Sequence, residues 1–421
     1  MKHIMFTLCS MRTGRPLHLT YRYKLMPSRA QHRALERILE AQRLLYNAAL
    51  QERVEAWCKA KHSITFYDQT RSLTVIRSDD ADGYGAMPVT LSRWSLKKVD
   101  EAFRAFFRRV KANAKKAGFP RFRGKDRWRS FGFTEFAGIR LKDGRLRFAG
   151  LSIRMHMHRE LPDGASLRSC VFTKVDRQWF VALQIAVEFD AVHGAAGDAV
   201  GIDWGVESFA TLSTGETIDN PRLGRQAAAE LRGAGRTMAR RRKGSKRREK
   251  AKRHLQRLQR RLADRRRTFL HRQSAELTRR FGMIAVENLQ IANMSASARG
   301  SVEAPGRNVR QKAGLNREIL DTSPGTFVAM LRYKAARAGG AFAAVDARGT
   351  SVECSGCGTN VPKDLSVRTH SCPHCNLRIG RDVNAARVIL GRAVAGPWSG
   401  YADFATGQSS MGRRSGNLRA A

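Results

Sequence analysis

Four cysteines near the C-terminus have the spacing of a metal site. Cys354-x-x-Cys357 is followed after fourteen residues by Cys372-x-x-Cys375, and each pair can turn two thiolates toward one point on a tight knuckle. Four thiolates suit tetrahedral zinc, and four protein ligands leave no position open for water, so the role is structural. The competing reading, two local disulfides or a redox dithiol, sits badly with a doubled pair and a reducing cytoplasm. Cys9, Cys58 and Cys170 are isolated, so the odd count of seven is not a secreted disulfide framework.

Three acids stand where a charge loses its hydration. Asp203 lies in the apolar run Ala199-Val200-Gly201-Ile202-Asp203-Trp204-Gly205, and Glu287 ends an apolar strand that starts near Met283. Asp382 comes just before Val383-Asn384-Ala385-Ala386, the start of a helical run to Leu390. Such acids need a positive partner, and oxygen-only anionic ligands suit Mg²⁺. Two Mg²⁺ ions about 3.5 to 4 Å apart can activate a water and stabilise the leaving oxygen of a phosphodiester. Taken singly, each acid is more often a helix cap or an ion-pair partner than a metal ligand.

The charge balance points to the substrate. Lys and Arg number 78 against 36 Asp and Glu, a formal net charge of +42 over 421 residues. Self-repulsion of this size opposes compaction unless phosphates neutralise it, so nucleic acid is the natural partner. A membrane is not expected, because no apolar run is long enough to span one. The apolar stretch Ile4–Cys9 is short and broken by Thr7, which fails as a signal peptide and places the protein in the cytoplasm.

The elements that must hold these residues follow from periodicity, and the length suggests two to four domains. Residues 1–17 read as a ragged leader. Leu19, Tyr21, Tyr23 and Leu25 alternate with polar neighbours as a strand that Pro27 stops, and Ser28 can cap the next helix. That helix carries Leu35, Ile38, Leu39, Leu45, Tyr46, Ala49, Leu50 and Val54 on one face. A second helix is predicted from Thr90 to Lys116, with Val99, Ala102, Phe103, Phe106, Phe107 and Val110 toward a core. Its basic stripe, Arg93, Lys97, Arg104, Arg108 and Lys111, reads either as a nucleic-acid face or as a solvated one; Arg93 and Lys97 are also candidate readers of a flanking motif.

Beyond the turn Gly118-Phe119-Pro120-Arg121-Phe122-Arg123, strand signals at Arg145–Phe148, Val171–Val175 and Trp179–Phe189 suggest a small β-domain, and 190–198 a linker. After the strand bearing Asp203, Phe209–Leu212 and Glu216–Ile218 continue as an antiparallel hairpin or meander. Residues 236–272 then hold 18 Lys or Arg against two acids, dense enough to grip a phosphate backbone and nearly without aromatics to stack on bases. Arg121 and Arg123 of the turn, with Arg241, Arg242, Lys243, Lys246, Arg247 and Arg248 of this stretch, are further nucleic-acid-binding candidates. Residues 292–316 are expected to lack fixed structure without a partner. A helix at Pro324–Ala338 and a strand at Ala341–Val345 precede the cysteines. Strand, meander, helix, strand and late helix is the order of an RNase H-like fold.

With these residues placed, the sequence resembles the TnpB family, transposon-encoded RNA-guided nucleases related to compact type V CRISPR effectors. Gly201-Ile202-Asp203-Trp204-Gly205-Val206 is similar to the first RuvC motif, Val286-Glu287-Asn288-Leu289 to the second and Arg381-Asp382-Val383-Asn384-Ala385-Ala386 to the third. Thr350-Ser351-x-x-Cys354 opens the zinc ribbon as in that family, and Phe106-Phe107-Arg108-Arg109 and Gly118–Phe122 also match, so the likeness spans about 18–392. Trp204 stands where the family has a small aliphatic residue or Leu, and Asn288 where Asp is common; neither removes a ligand.

The resemblance implies a multidomain α/β chain with an RNase H-like RuvC nuclease domain, an inserted zinc ribbon, and a β-rich wedge domain interrupted by a helical recognition lobe. The expected boundaries are a wedge strand at 18–27, the lobe at 28–117, the wedge at 118–195, RuvC at 198–350 with a basic helical insertion at 225–280, the ribbon at 351–380, the third motif at 381–392 and a disordered tail at 393–421. It further implies catalysis by Asp203, Glu287 and Asp382 with two Mg²⁺, a guide RNA as cofactor, double-stranded DNA beside a short flanking motif as target, and a monomer with its RNA. A guide-directed repressor would have lost an acid, and none is lost. A transposase acting directly on DNA would carry a separate DNA-binding head, and none is recognisable.

Overall fold

The computed structural model describes residues 17–114, 117–187, 198–301, 303–364 and 366–395. Most of the expected leader, linker and tail lies outside them, but Leu17 belongs to a strand and residues 393–395 to a helix, so neither the leader nor the tail is wholly without structure as expected. The chain divides into two compact units, Met1–Phe189 and Asp190–Ala421.

In the first unit, strand β1 (Leu17–Met26) buries Tyr21, Tyr23 and Leu25 in alternation. Ser28 then caps helix α1 (Arg29–Ala60) through a capping box with Gln31. Leu35, Ile38, Leu45, Tyr46, Ala49 and Leu50 form its buried face. Helix α2 (Phe66–Asp79), capped by Thr65, was not expected: Leu73 is its one fully buried apolar residue, and the buried Gln69 donates to Ala49 O and Glu52. Helix α3 (Val89–Lys111) is shorter than expected. Its core contacts lie toward its start, at Leu91, Trp94, Leu96 and Val99, whereas Phe107 and Val110 are 60% and 47% exposed. Only part of the expected aromatic core face is therefore packed inside.

Strands β2 (Ser130–Phe133), β3 (Arg140–Lys142), β4 (Arg145–Phe148), β5 (Leu151–His156), β6 (Ser166–Val175) and β7 (Gln178–Val187) complete an antiparallel sheet of order β2-β6-β7-β1-β5-β4-β3. β1 pairs with β7, Tyr21 facing Leu183, although some 150 residues separate them. One core, rich in Phe131, Phe133, Phe148, Phe172 and Trp179, runs from this sheet into the helices.

The second unit starts with an antiparallel meander, β8 (Ala199–Trp204), β9 (Ser208–Leu212) and β10 (Thr217–Asp219). Helices α4 (Leu223–Ala239) and α5 (Lys246–Arg280) make a long hairpin, and β11 (Met283–Glu287) returns parallel to β8. Helices α6 (Ile291–Met294), α7 (Val309–Thr322) and α8 (Pro324–Arg337) lead to β12 (Ala341–Val345), parallel to β11. The sheet order is β10-β9-β8-β11-β12. Structure reaches into the 292–316 stretch, contrary to expectation: α7 begins at Val309, and Asn316 donates to the carbonyls of Ser295 and Ala296. A short hairpin, β13 (Thr369–Ser371) and β14 (Arg378–Gly380), precedes helix α9 (Arg381–Ala395).

Strand alternation gives this sheet two different faces. Val200, Ile202, Ile284 and Val286 pack with Leu270, Leu277, Phe327 and Leu331 of α5 and α8. Met283 and Ala285 face the other way, onto Ile389 and Ala393 of α9. No helix among the described residues is long and apolar enough to cross a membrane.

Candidate nuclease centre and cysteine cluster

The α9 face of the sheet is where the acids meet. In the parallel pair, Ile202 lies beside Val286, so Asp203 and Glu287 come one step later and share a face. Gly201, two residues before Asp203, points to the same side: a Cβ there would stand 2.0 Å from Ala386 O. Helix α9 can lie this close because position 201 has no side chain, and its first turn brings Asp382 over the strand ends.

The electrostatics follow from that placement. Burial pushes the Asp203 carboxyl up to about 8; the charges of Glu287 and Asp382 add to the rise, and Arg381 opposes it. Burial also raises Glu287, against the Thr350 hydroxyl, whose oxygen is 2.5 Å from Glu287 Oε1, and the Arg392 charge. Half-buried carboxylates whose charges oppose one another at Asp203, with little positive charge to offset them, are the setting a divalent cation relieves.

The four cysteines are brought together. Their sulfurs all lie within 4.8 Å of one another, with Cys354 and Cys375 3.6 Å apart and Cys357 and Cys372 also 3.6 Å apart. Tetrahedral zinc with bonds of about 2.3 Å sets its sulfurs about 3.8 Å apart, so the cluster could hold that ion. Hydrogen bonding with the Thr359 side chain and N–H lowers the Cys357 thiol below its usual range, which favours the ligating thiolate. Among the described residues this is the one group of three or more cysteines, histidines or acids gathered closely enough to hold an ion; the three acids do not form such a group.

The basic candidates divide. Lys97, Arg108 and Lys111 are exposed, as are Arg121, Arg123, Arg241, Arg242, Lys243, Lys246 and Arg247. Arg93 is half-buried, its Nε buried without a hydrogen-bond partner, and Arg104 pairs with Asp100 at 2.7 Å. Arg248 donates to the carbonyls of Met238 and Arg241, closing the end of α4, so its guanidinium is already engaged. A groove of about 810 Å³ lined by Arg257, Arg261, Arg265, Arg272 and Phe269, with Asp264 among them, runs along α5, and Asp203, Glu287 and Asp382 are not part of it. Those arginines were legible only as part of a charge run.

Thr350, Asn384 and Arg392 were also missed as individuals. Asn384 of α9 is fully buried against the main chain around the first cysteine pair, and Arg392 binds Glu353 and the carbonyls of Asp346 and Arg348. Thr350 carried one signal, its place at the head of Thr-Ser-x-x-Cys.

A family model described as a probable transposase, OrfB of the IS605 type, matches residues 183–298; a Cas12f1-like TNB domain matches 325–389. A protein of Streptomyces pristinaespiralis described as an RNA-guided DNA endonuclease is 31% identical over 385 residues, 89% of each chain. The chain belongs to the TnpB family. A second member, the RNA-guided DNA endonuclease InsQ of Escherichia coli (strain K12), is 29% identical over 88% of this chain and 91% of its own. A helix-turn-helix model matches 17–62, where this TnpB-family chain has a strand and one continuous helix. Among solved structures, the mini-RNA-guided endonuclease CRISPR-Cas_phi3 aligns over 92% of this chain and 94% of its own, at 10% identity and a TM-score of 0.41.

Proposed function

We propose that this RNA-guided DNA endonuclease cuts double-stranded DNA beside a short flanking motif at a single RuvC-type site formed by Asp203, Glu287 and Asp382. The observation that carries the reading is the joint placement of the three acids: two strand ends share one face of the sheet, and α9 packs on that face over Gly201. The three-layered unit around a β10-β9-β8-β11-β12 sheet supports an RNase H-like fold for it.

In the proposed site the acids would hold two Mg²⁺, whose chemistry there would be activation of water and stabilisation of the leaving oxygen. The chain's own residues do the positioning. Thr350 orients the Glu287 carboxylate, and Arg381 partly offsets the charge at Asp203. The Arg257–Arg272 groove is suited to hold the sugar-phosphate backbone of guide RNA or heteroduplex, away from the cut. The cysteine cluster holds zinc, and the protein acts in the bacterial cytoplasm as a monomer with its RNA.

The test is to purify the chain with its copurifying RNA, sequence that RNA, and supply a matching plasmid with Mg²⁺. Cutting should depend on the match, and Asp203→Ala should abolish it while leaving RNA and target binding intact. Cutting that ignored the RNA would favour a transposase acting directly on DNA.

A further inference from the structure

The two cysteine knuckles are built alike. In each, the N–H of the first cysteine donates to the carbonyl five residues on, Cys354 to Thr359 and Cys372 to Leu377. In each, the residue four places on donates back to the first cysteine, Gly358 to Cys354 and Asn376 to Cys372, from a left-handed backbone with φ of 75° and 59°. They differ at the residue after the first cysteine: Pro373 in the second knuckle, Ser355 in the first.

A reason for that difference lies in α9. The Ser355 N–H, which a proline would lack, donates to Asn384 Oδ1 at 2.9 Å, while Asn384 Nδ2 donates to Glu353 O at 2.7 Å. The fully buried Asn384 thus grips the main chain on both sides of Cys354. A second grip comes from the far end of the helix, where Arg392 Nη2 is 2.5 Å from Glu353 Oε2. Asn384 lies two residues after Asp382, in the same helical turn.

We propose that Asn384 is a positioning residue that latches the start of α9 to the closed first knuckle, so that the placement of Asp382 depends on the filled cysteine cluster. The inference rests on the reading of Asp382 as a Mg²⁺ ligand. It assigns the thiolates a task beyond local folding: residues 353–355 are fixed when Cys354 is ligated, and through them the acid is held at the correct height over the sheet.

Asn384→Ala and Ser355→Pro cut the latch from opposite sides, and the second knuckle, with the same backbone hydrogen bonds, carries a proline at the matching place. In the full chain with its RNA, Asn384→Ala should release zinc to a colorimetric chelator about tenfold faster, and both variants should need about tenfold more Mg²⁺ for half-maximal cutting, the scale set by losing buried hydrogen bonds. RNA binding should be unchanged. Because both remove the same bond, the combined variant should be no worse than the worse single one. Unchanged zinc release with unchanged Mg²⁺ requirement, or strictly additive losses, would overturn the latch. An Asp382→Asn protein that still cut would sink the reading of the acid instead, a result the zinc-release comparison keeps distinct.

Discussion

A Cβ on Gly201 would stand 2.0 Å from the carbonyl oxygen of Ala386 and 2.9 Å from the Leu390 backbone nitrogen. Neither neighbour is the loose end of a side chain, so a methyl group there must lift α9 from the sheet. Gly201→Ala is expected to cut activity by at least tenfold, by displacing Asp382 from Asp203, and to destabilise the second unit by roughly 1 to 3 kcal/mol as an overpacking change. Thermal unfolding and plasmid cleavage measured side by side check this; wild-type activity would show that the contact is not limiting.

The high position of Asp203 makes a signed prediction for stability. Its folded-state value of about 8 exceeds the usual value of 3.8, so the folded metal-free chain binds the proton more tightly than the unfolded chain. Stability contributed by the protonated form is present at low pH and is lost as pH rises from near 4 through 8. Asp203→Asn removes the charging penalty and should raise the melting temperature of the metal-free chain at pH 8 by several degrees, while abolishing cleavage. For the parent, Mg²⁺ affinity should rise with pH up to about 8, since the ion competes with that proton. Calorimetry of the two proteins across this range, with EDTA, decides it.

How much of this was legible in the sequence depended on distance. The alternation Leu19-Tyr21-Tyr23-Leu25, the Ser28 cap and the apolar strands around Asp203 and Glu287 are local patterns, and they formed as read. The pairing of β1 with β7 is not local, and only a likeness to known chains implied it. Helix α2 escaped because its buried contacts include a glutamine, so its apolar period is weak. For α3 the period gave a face but not where that face meets the core, and the exposed Phe107 shows the difference. The acids could be marked because charge in an apolar run is conspicuous, whereas Thr350 and Asn384 act through hydrogen bonds to residues 63 and 31 positions away, which no spacing rule encodes.

Removing zinc should unfold the region around Cys354, Cys357, Cys372 and Cys375 while the first unit keeps its fold, because thiolate ligation supplies much of a small ribbon's stability. Dialysis against a strong chelator should lower cleavage sharply and leave the protection of β1 and β7 amides unchanged in hydrogen exchange. Active protein with far less than one zinc per chain by metal analysis would contradict the assignment.

The arginines along α5 should act through phosphate charge rather than base identity. Arg257→Ala with Arg261→Ala is expected to weaken RNA binding about equally for different sequences and to make the slope of log affinity against log salt shallower by roughly one to two. An unchanged slope would place the nucleic acid elsewhere. The exposed pair in the turn between α4 and α5, Arg241 and Arg242, offers the comparison: if the groove is the seat, losing them should matter less.

The sharpest test of the nuclease centre is Asp382→Asn. The amide keeps the size and much of the hydrogen bonding of the acid, so α9 should still dock over Gly201 and Asn384 should keep its two main-chain bonds. What disappears is one negative charge beside Asp203 and Glu287. If the three acids hold Mg²⁺, cleavage should fall by at least a hundredfold and the Mg²⁺ requirement should rise, while guide RNA and matched DNA still bind through distant basic surfaces. Loss of RNA binding in the same protein would indicate misfolding. Strong cutting with normal binding would mean that Asp382 is an ordinary helix-start acid, whose charge merely complements the α9 dipole.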